Sequence, residues 1–240
     1  MFNFLGSFYS CMFNMGQCYL IDFVIAFMTA ILCFVLGIMV LVFFNGSSVK
    51  YFSYSSKFLE LWCGVVPIII LFIQIVFSYD LLYWDSVIMD DAKLKDASLN
   101  VKVIGHQWFW TYDYSGLGDW MKFDSYMVSG NSLNLGDLRL LEVDNRLVLP
   151  VGVYNCVNIT STDVIHSWFL PSYGFKLDAL PGINNSHLLW FDNVGVYYGM
   201  CSEICGAGHS YMPVVVEVVP VGVFCDWVEE LRHEHDIITR

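Results

Sequence analysis

Residues Ile21 to Phe44 carry one charged side chain, Asp22, at their very edge. A stretch this long with no polar face does not read as the amphipathic helix of a soluble domain. As an α-helix it measures about 36 Å at about 1.5 Å per residue, enough to cross a bilayer with some tilt. A second apolar run follows at Phe58 to Trp84. It has Glu60 near one end and Asp80 near the other, and Val65 to Phe77 is apolar except for Gln74. Trp62 and the Tyr83-Trp84 pair, at its two ends, suit an interfacial aromatic belt. Pro67 predicts a local kink. The chain is 57% apolar and 14% charged, rich for a soluble protein. Two buried helices of a soluble bundle are the alternative.

Charge sets the expected orientation. The connection Asn45 to Lys57 holds Lys50 and Lys57 and no acid, whereas residues beyond 85 are acidic. The positive-inside rule then puts the hairpin loop on the inner side and both termini outside. No Lys or Arg precedes Lys50. A secretory signal or mitochondrial presequence carries positive charge at its start, so the simplest expectation is insertion from within an organelle. A net charge of −12 argues against a nucleic-acid partner.

The expected layout is an outer segment over 1–20, a membrane hairpin over 21–84, a connector over 85–96, a single domain over 97–222 and a tail over 223–240. Within the domain, short apolar runs punctuated by Gly, Pro, Asn and Asp predict strands. They are Val101–Tyr114, Leu138–Val143, Arg146–Leu149, Val153–Thr160, Val164–Phe169, Leu188–Phe191, Val194–Met200 and Val214–Val219. That pattern predicts an antiparallel sandwich or barrel. Val223, Phe224, Trp227, Val228 and Leu231 recur at helical spacing and predict a short amphipathic helix.

The chemistry concentrates in Cys201-Ser-Glu-Ile-Cys205-Gly-Ala-Gly-His209-Ser-Tyr-Met212. Two thiols, an imidazole and a thioether lie within one short segment, and His166 lies upstream in Asp163-Val-Ile-His166. Soft sulfur with imidazole and a weak axial Met suits copper. Two Cys and two His could also hold zinc, although Met212 and Glu203 argue against it. A Cys201–Cys205 disulfide is a further alternative. Cys33 and Cys63 read as buried apolar residues in the spans. Cys11, Cys18, Cys156 and Cys225 have no defensible partner, although a Cys11–Cys18 bridge is conceivable.

These residues resemble the copper A motif of cytochrome c oxidase subunit II. Gly105-His-Gln-Trp-Phe-Trp110, Phe123-Asp-Ser-Tyr-Met127, Leu138-Arg-Leu-Leu-Glu-Val-Asp-Asn-Arg146 and Asp178-Ala-Leu-Pro-Gly182 resemble that family in order and spacing. The resemblance spans about residues 20 to 230. It implies a two-helix transmembrane hairpin followed by an all-β cupredoxin-like Greek-key barrel. It further implies a mitochondrial inner-membrane protein whose termini and copper domain face the intermembrane space.

The resemblance also implies roles. Cys201 and Cys205 would bridge two coppers, His166 and His209 would supply one imidazole each, and Met212 sulfur and the Glu203 carbonyl would be weak axial donors. The Glu203 carboxylate would ligate a magnesium shared with subunit I. Trp108 would receive the electron from cytochrome c, which would dock on Asp113, Asp119, Asp124, Asp144 and Asp163. Acids outnumber bases eleven to five between residues 100 and 222, a field that would steer a basic partner. Glu60 would stand at the mouth of a proton path into subunit I. Electrons would pass to haem a in subunit I, where oxygen is reduced and protons are pumped.

Each assignment has a plainer alternative: barrel packing for Trp108, a loop acid for Glu203, a snorkelling pair with Lys57 for Glu60, solvated surface for each aspartate. A solvated tail is the simplest reading of His233 and His235, and His187 reads as a strand residue. The sequence departs from the family at Ile183, where many members carry Arg, and over Ser115 to Lys122. A copper-free quinol oxidase subunit would lack the full ligand set. A nitrous-oxide reductase would need a large second domain.

Overall fold

The computed structural model describes residues 12–44, 56–88, 97–114, 116–118 and 120–239. Cys11, Lys50 and Asp119 lie outside the described residues, as do the side chains of Asp80 and Trp84. The chain divides into two compact units. Met15–Ser86 form one, and the second contains Val87–Arg240.

The first unit consists of α1 (Met12–Phe44) and α2 (Lys57–Ile88). Both are longer than the apolar runs that predict them, and α2 continues through Pro67. Cys18–Phe44 and Lys57–Tyr79 are long and apolar enough to cross a membrane. Their apolar side chains point outward, as lipid-facing surface would. The rings of Phe23 and Phe77 lie 4.8 Å apart, so the two helices touch. Cys33 and Cys63 are exposed on these helices, not buried as expected.

The second unit is a two-sheet sandwich. One sheet contains β1 (Leu99–His106), β2 (Phe109–Asp113), β3 (Lys122–Ser125), β5 (Asn155–Ser161) and β8 (Asn185–Leu189), in the order β3-β2-β1-β5-β8. The other contains β4 (Leu147–Pro150), β6 (His166–Leu170), β7 (Phe175–Ala179), β9 (Gly195–Cys201) and β10 (Pro213–Val219), in the order β4-β10-β9-β6-β7. Neither sheet is purely antiparallel, contrary to expectation: β1 pairs with β5 and β4 with β10 in parallel. Strand β1 alternates, with Leu99, Val101 and Val103 inward and Asn100 and Lys102 outward. Strand β10 is a near-continuous valine run because both of its faces are covered.

Two sequence expectations need correction. Val101–Tyr114 is not one strand but the β1–β2 hairpin, turned at Gln107 and Trp108. Leu138–Val143 is not a strand. Leu141 and Glu142 N–H both donate to the Leu138 carbonyl, and Leu140 has a φ of 69°. The segment is rich in Leu, Arg and Glu, which have weak β preference, so turn bonds prevail. Only Val143 bridges, to Met127. Strands β3 and β7 have too few apolar residues to signal themselves.

Trp110, Trp168, Tyr112 and Tyr114 are fully buried between the sheets. Helix α3 (Val221–Ile238) covers one end with Phe224, Trp227, Val228 and Leu231, at the predicted spacing, while Val223 faces outward. Tyr114 ties two parts of this unit together. Its hydroxyl donates to the Val148 carbonyl at 2.8 Å and accepts the Val148 N–H at 3.0 Å, clamping edge strand β4. Burial pushes its pKa well above the usual phenol value, so it stays a neutral donor. Tyr114→Phe removes both bonds and should destabilise the domain by about 1–3 kcal/mol, read as an earlier urea midpoint in tryptophan fluorescence.

Candidate metal centre

The donors come from three places. His166 opens β6, Cys201 ends β9, and the loop that follows carries Glu203, Cys205, His209 and Met212 before β10 begins. The pairing of β6 with β9 sets Trp168 opposite Cys201, so His166 lies close to that cysteine. His209 sits in a 3-10 turn, His209–Tyr211, that folds the loop back over the sulfurs.

The donor atoms converge. The Sγ atoms of Cys201 and Cys205 are 3.9 Å apart, far beyond the disulfide length of about 2.05 Å, and both thiols are free. Cys201 Sγ is 4.0 Å from His166 Nδ1 and 3.4 Å from the Glu203 carbonyl oxygen. Cys205 Sγ is 3.5 Å from His209 Nδ1 and 3.7 Å from Met212 Sδ. The ligand atoms of His166, Cys201 and Cys205 all lie within 4.8 Å of one another. Ligands at about 2.0–2.3 Å from a shared metal lie roughly 3.3–4 Å from each other. Those spacings and the soft donor set fit copper ions held among the sulfurs.

Electrostatics favour one thiolate of the pair, that of Cys201. Burial opposes the Cys201 thiolate, but hydrogen bonds from His166, the Ser167 and Glu203 backbone and His209 bring its pKa down to about 7. Burial and the charge of Cys201 push Cys205 up. Burial disfavours a charged His166, yet its bonds to Cys201 and Asp163 raise its pKa overall.

Asp163 was expected on a docking face, and the structure gives it a more local task. Its Oδ1 is 2.8 Å from His166 Nε2, and it also accepts the Val164 N–H; Oδ2 accepts the Gln107 N–H at 2.7 Å. A carboxylate so placed would orient the imidazole if it held a metal. The Asp-x-x-His spacing at residues 163–166 is the signal that could have revealed it. Behind the ring, Gly105 leaves room, since a Cβ there would lie 2.9 Å from His166 Cδ2.

Trp108 sits at the tip of the β1–β2 turn, partly exposed at 37%, and its indole N–H donates to the Cys205 carbonyl at 3.2 Å. Gln107, missed by the sequence reading, donates to the same oxygen at 2.8 Å. Beside them His106, Phe109 and Tyr126 form a stacked column, with centroids 4.5 Å apart at each step. The other expected acids do not form one group. Asp144 is exposed and accepts the N–H groups of Tyr126 and Asn145. Asp124 is exposed and accepts from Thr111. Asp113, at the far end of β2, is in register with Lys102 and Lys122 on the neighbouring strands. Glu203 is half-buried in the ligand loop, and Glu60 is exposed in the first turn of α2, a unit apart.

A β-sandwich with a buried Cys-Cys-His cluster at one end, preceded by two helices long and apolar enough for a membrane, defines a membrane-anchored protein with a copper-binding-type domain. The family described as cytochrome C oxidase subunit II, periplasmic domain, matches residues 99–219. The chain is 42% identical over 219 residues to cytochrome c oxidase subunit 2 of Branchiostoma lanceolatum, spanning 91% of this chain and 88% of that one. It is 48% identical over 185 residues to the subunit 2 of Ascaris suum, spanning 77% and 75%. Its fold is similar to the periplasmic domain of subunit II of cytochrome oxidase from Bradyrhizobium japonicum, with a TM-score of 0.53 and 40% identity over 57% of this chain and 96% of that chain. The chain therefore belongs to the cytochrome c oxidase subunit II family, the electron-transfer subunit of a terminal oxidase.

The Asp163–His166 pair generates a pH prediction for the metal-free chain. Burial works against ionised Asp163, but its bonds to His166, Val164 N–H and Gln107 N–H lower its pKa below 3.8, while that of His166 is raised above 6.5. Its stabilisation is complete between those two ordinary values. It is lost as pH falls through the lowered Asp163 value, and again as pH rises through the raised His166 value. The stability gap between wild type and Asp163→Asn, measured by urea unfolding, should peak in that window and narrow on both sides.

Proposed function

We propose that this chain accepts electrons from reduced cytochrome c at Trp108 and delivers them, through a dinuclear copper A centre, to haem a in subunit I. The observation that carries this reading is the convergence of His166, Cys201, Cys205, His209 and Met212 on one buried point, with the Trp108 indole bonded to the carbonyl of Cys205. Two coppers bound there would supply a reversible one-electron couple. His166 and His209 would hold them from two sides, with Met212 and the Glu203 carbonyl as weak donors. The chain's own contribution is rigidity. The donors are held by β6, β9 and a loop packed under Trp108, so little need move when charge changes.

In this reading Glu203 also offers its carboxylate to a magnesium shared with subunit I, a hard oxygen ligand for a hard ion. Glu60 stands at the mouth of a proton path into subunit I. The partners are subunit I and the other oxidase subunits, cytochrome c and membrane lipid. The location is the mitochondrial inner membrane, with both termini and the sandwich in the intermembrane space. Lys50, between the two helices in the sequence, and Lys57, the first residue of α2, support that orientation. Oxygen reduction and the proton pumping coupled to it belong to the assembled oxidase.

Copper content tests the centre directly. The chain, reduced and loaded with copper, should hold two ions, and its EPR spectrum should show the denser hyperfine pattern of an electron shared by two nuclei. Cys201→Ser or Cys205→Ser should abolish that pattern, whereas Met212→Leu should mainly weaken retention. One copper with a single-ion spectrum would overturn the dinuclear reading.

Electron acceptance is tested separately. Asp124→Asn with Asp144→Asn should slow association with ferrocytochrome c at low salt. The effect should fade as salt shortens the screening length to about 8 Å. Trp108→Ala should slow transfer within the bound complex at every salt concentration in stopped-flow reduction. An unchanged saturating rate would return Trp108 to simple packing.

A further inference from the structure

The ligand loop is poorly anchored by its own backbone bonds. His209 N–H donates to Gly206 and Tyr211 N–H to Gly208, both within the loop. These bonds stiffen the loop without attaching it to the sandwich. Its ends are tied by Cys201 N–H to Met212 and Ser202 N–H to Ser167. Between those ends the loop could pivot as a unit, carrying Cys205 and His209 away from His166 and Cys201.

What opposes that pivot is the β1–β2 turn. The main-chain N–H of Gln107 donates to Asp163 Oδ2, and the other oxygen of the same carboxylate holds His166 Nε2. The Gln107 carboxamide reaches the opposite way, its Nε2 donating to the Cys205 carbonyl at 2.8 Å. The Trp108 indole donates to that carbonyl at 3.2 Å, so two side chains share its two lone pairs. The loop's glycines allow this approach. Gly206 has a φ of +116°, and a Cβ there would lie 3.2 Å from both Gln107 Nε2 and the Trp108 ring. A Cβ on Gly208 would run into the Trp108 ring itself.

We propose that Gln107 is a positioning residue of the metal centre, a brace whose two ends fix the donors on the ligand loop against His166 on β6. Its amide nitrogen is bonded to the carboxylate that orients His166, and its side chain is bonded to the carbonyl of Cys205. Gln107 is exposed, so replacing it buries nothing and opens no cavity. The geometric claim stands on these bonds alone; its meaning for the metal rests on the copper reading above.

The test uses the full chain in detergent micelles, as Gln107→Met, of similar length without a donor, and Gln107→Lys, which restores one. In the metal-free chain, backbone hydrogen exchange over residues 205–212 should quicken in Gln107→Met by up to about tenfold, the loss expected for one ordinary hydrogen bond. Peptides from β1, β2 and β10 should be unchanged, and Gln107→Lys should move back toward wild type. After loading with copper ions alone, Gln107→Met should show a shifted thiolate-to-copper absorption band and faster copper release to a chelator, again reversed by Lys. Unchanged exchange in Gln107→Met overturns the brace. Faster exchange with unchanged absorption and release overturns its role at the metal. If wild type itself takes up no copper while exchange responds as expected, the copper reading falls and the brace stands.

Discussion

The antiparallel seam between β6 and β9 is the contact on which the metal centre depends. Its register, Trp168 against Cys201 and Phe169 against Met200, brings a histidine to within 4.0 Å of a sulfur 35 residues later in the chain. Close approach makes that register possible. Gly199 lies along the seam, and any side chain there would collide with the Phe169 carbonyl. A slip by one residue would turn every side chain on the strand to the opposite face and carry Cys201 away from His166.

Around that seam the structure is layered by chemistry. The interior behind the donors is aromatic, with Trp110 and Trp168 fully buried and Trp110 in edge contact with His166, ring centroids 5.9 Å apart. The Trp110 indole donates to the Met212 carbonyl, so the core also restrains the end of the ligand loop. In front lies the β1–β2 turn. Asp163 links the two, bonding one oxygen to the buried imidazole and the other to the turn backbone. A buried aromatic wall and a hydrogen-bonded front together hold the donors in place, which suits electron transfer better than substrate binding.

The network also changes how the acidic surface reads. Counting acids along the sequence makes Asp113, Asp124, Asp144 and Asp163 equivalent. In the fold, Asp163 is committed to His166, and Asp113 stands between two lysines on neighbouring strands. Asp124 and Asp144 remain exposed near the aromatic column that ends in Tyr126. In the proposed reading, a steering field for a basic partner would therefore centre on fewer groups than the sequence count implies, and closer to the turn that carries Trp108.

Much of this protein was legible in the sequence because its signals are local. An apolar run long enough to cross a bilayer needs no partner to be recognised, and the Cys-x3-Cys-x3-His-x2-Met spacing keeps its candidate donors within one short segment whatever the rest of the chain does. Alternation of apolar and polar residues located most strands, and helical spacing located α3. Tertiary structure decided what depends on register and on hydrogen bonds between distant residues. The run from Val101 to Tyr114 holds no Pro and no Asn-Gly or Asp-Gly pair, so it carries no strong turn signal to mark its division into a hairpin. Strands β3 and β7 pair with neighbours, whereas Leu138–Val143 is closed by local turn bonds. The commitment of Asp163 to His166, and the convergence of Gln107 and Trp108 on one carbonyl about a hundred residues away, exist only once the sheets are assembled. A hydrogen bond across such a distance leaves no periodicity in the chain, and only folding brings its two ends together.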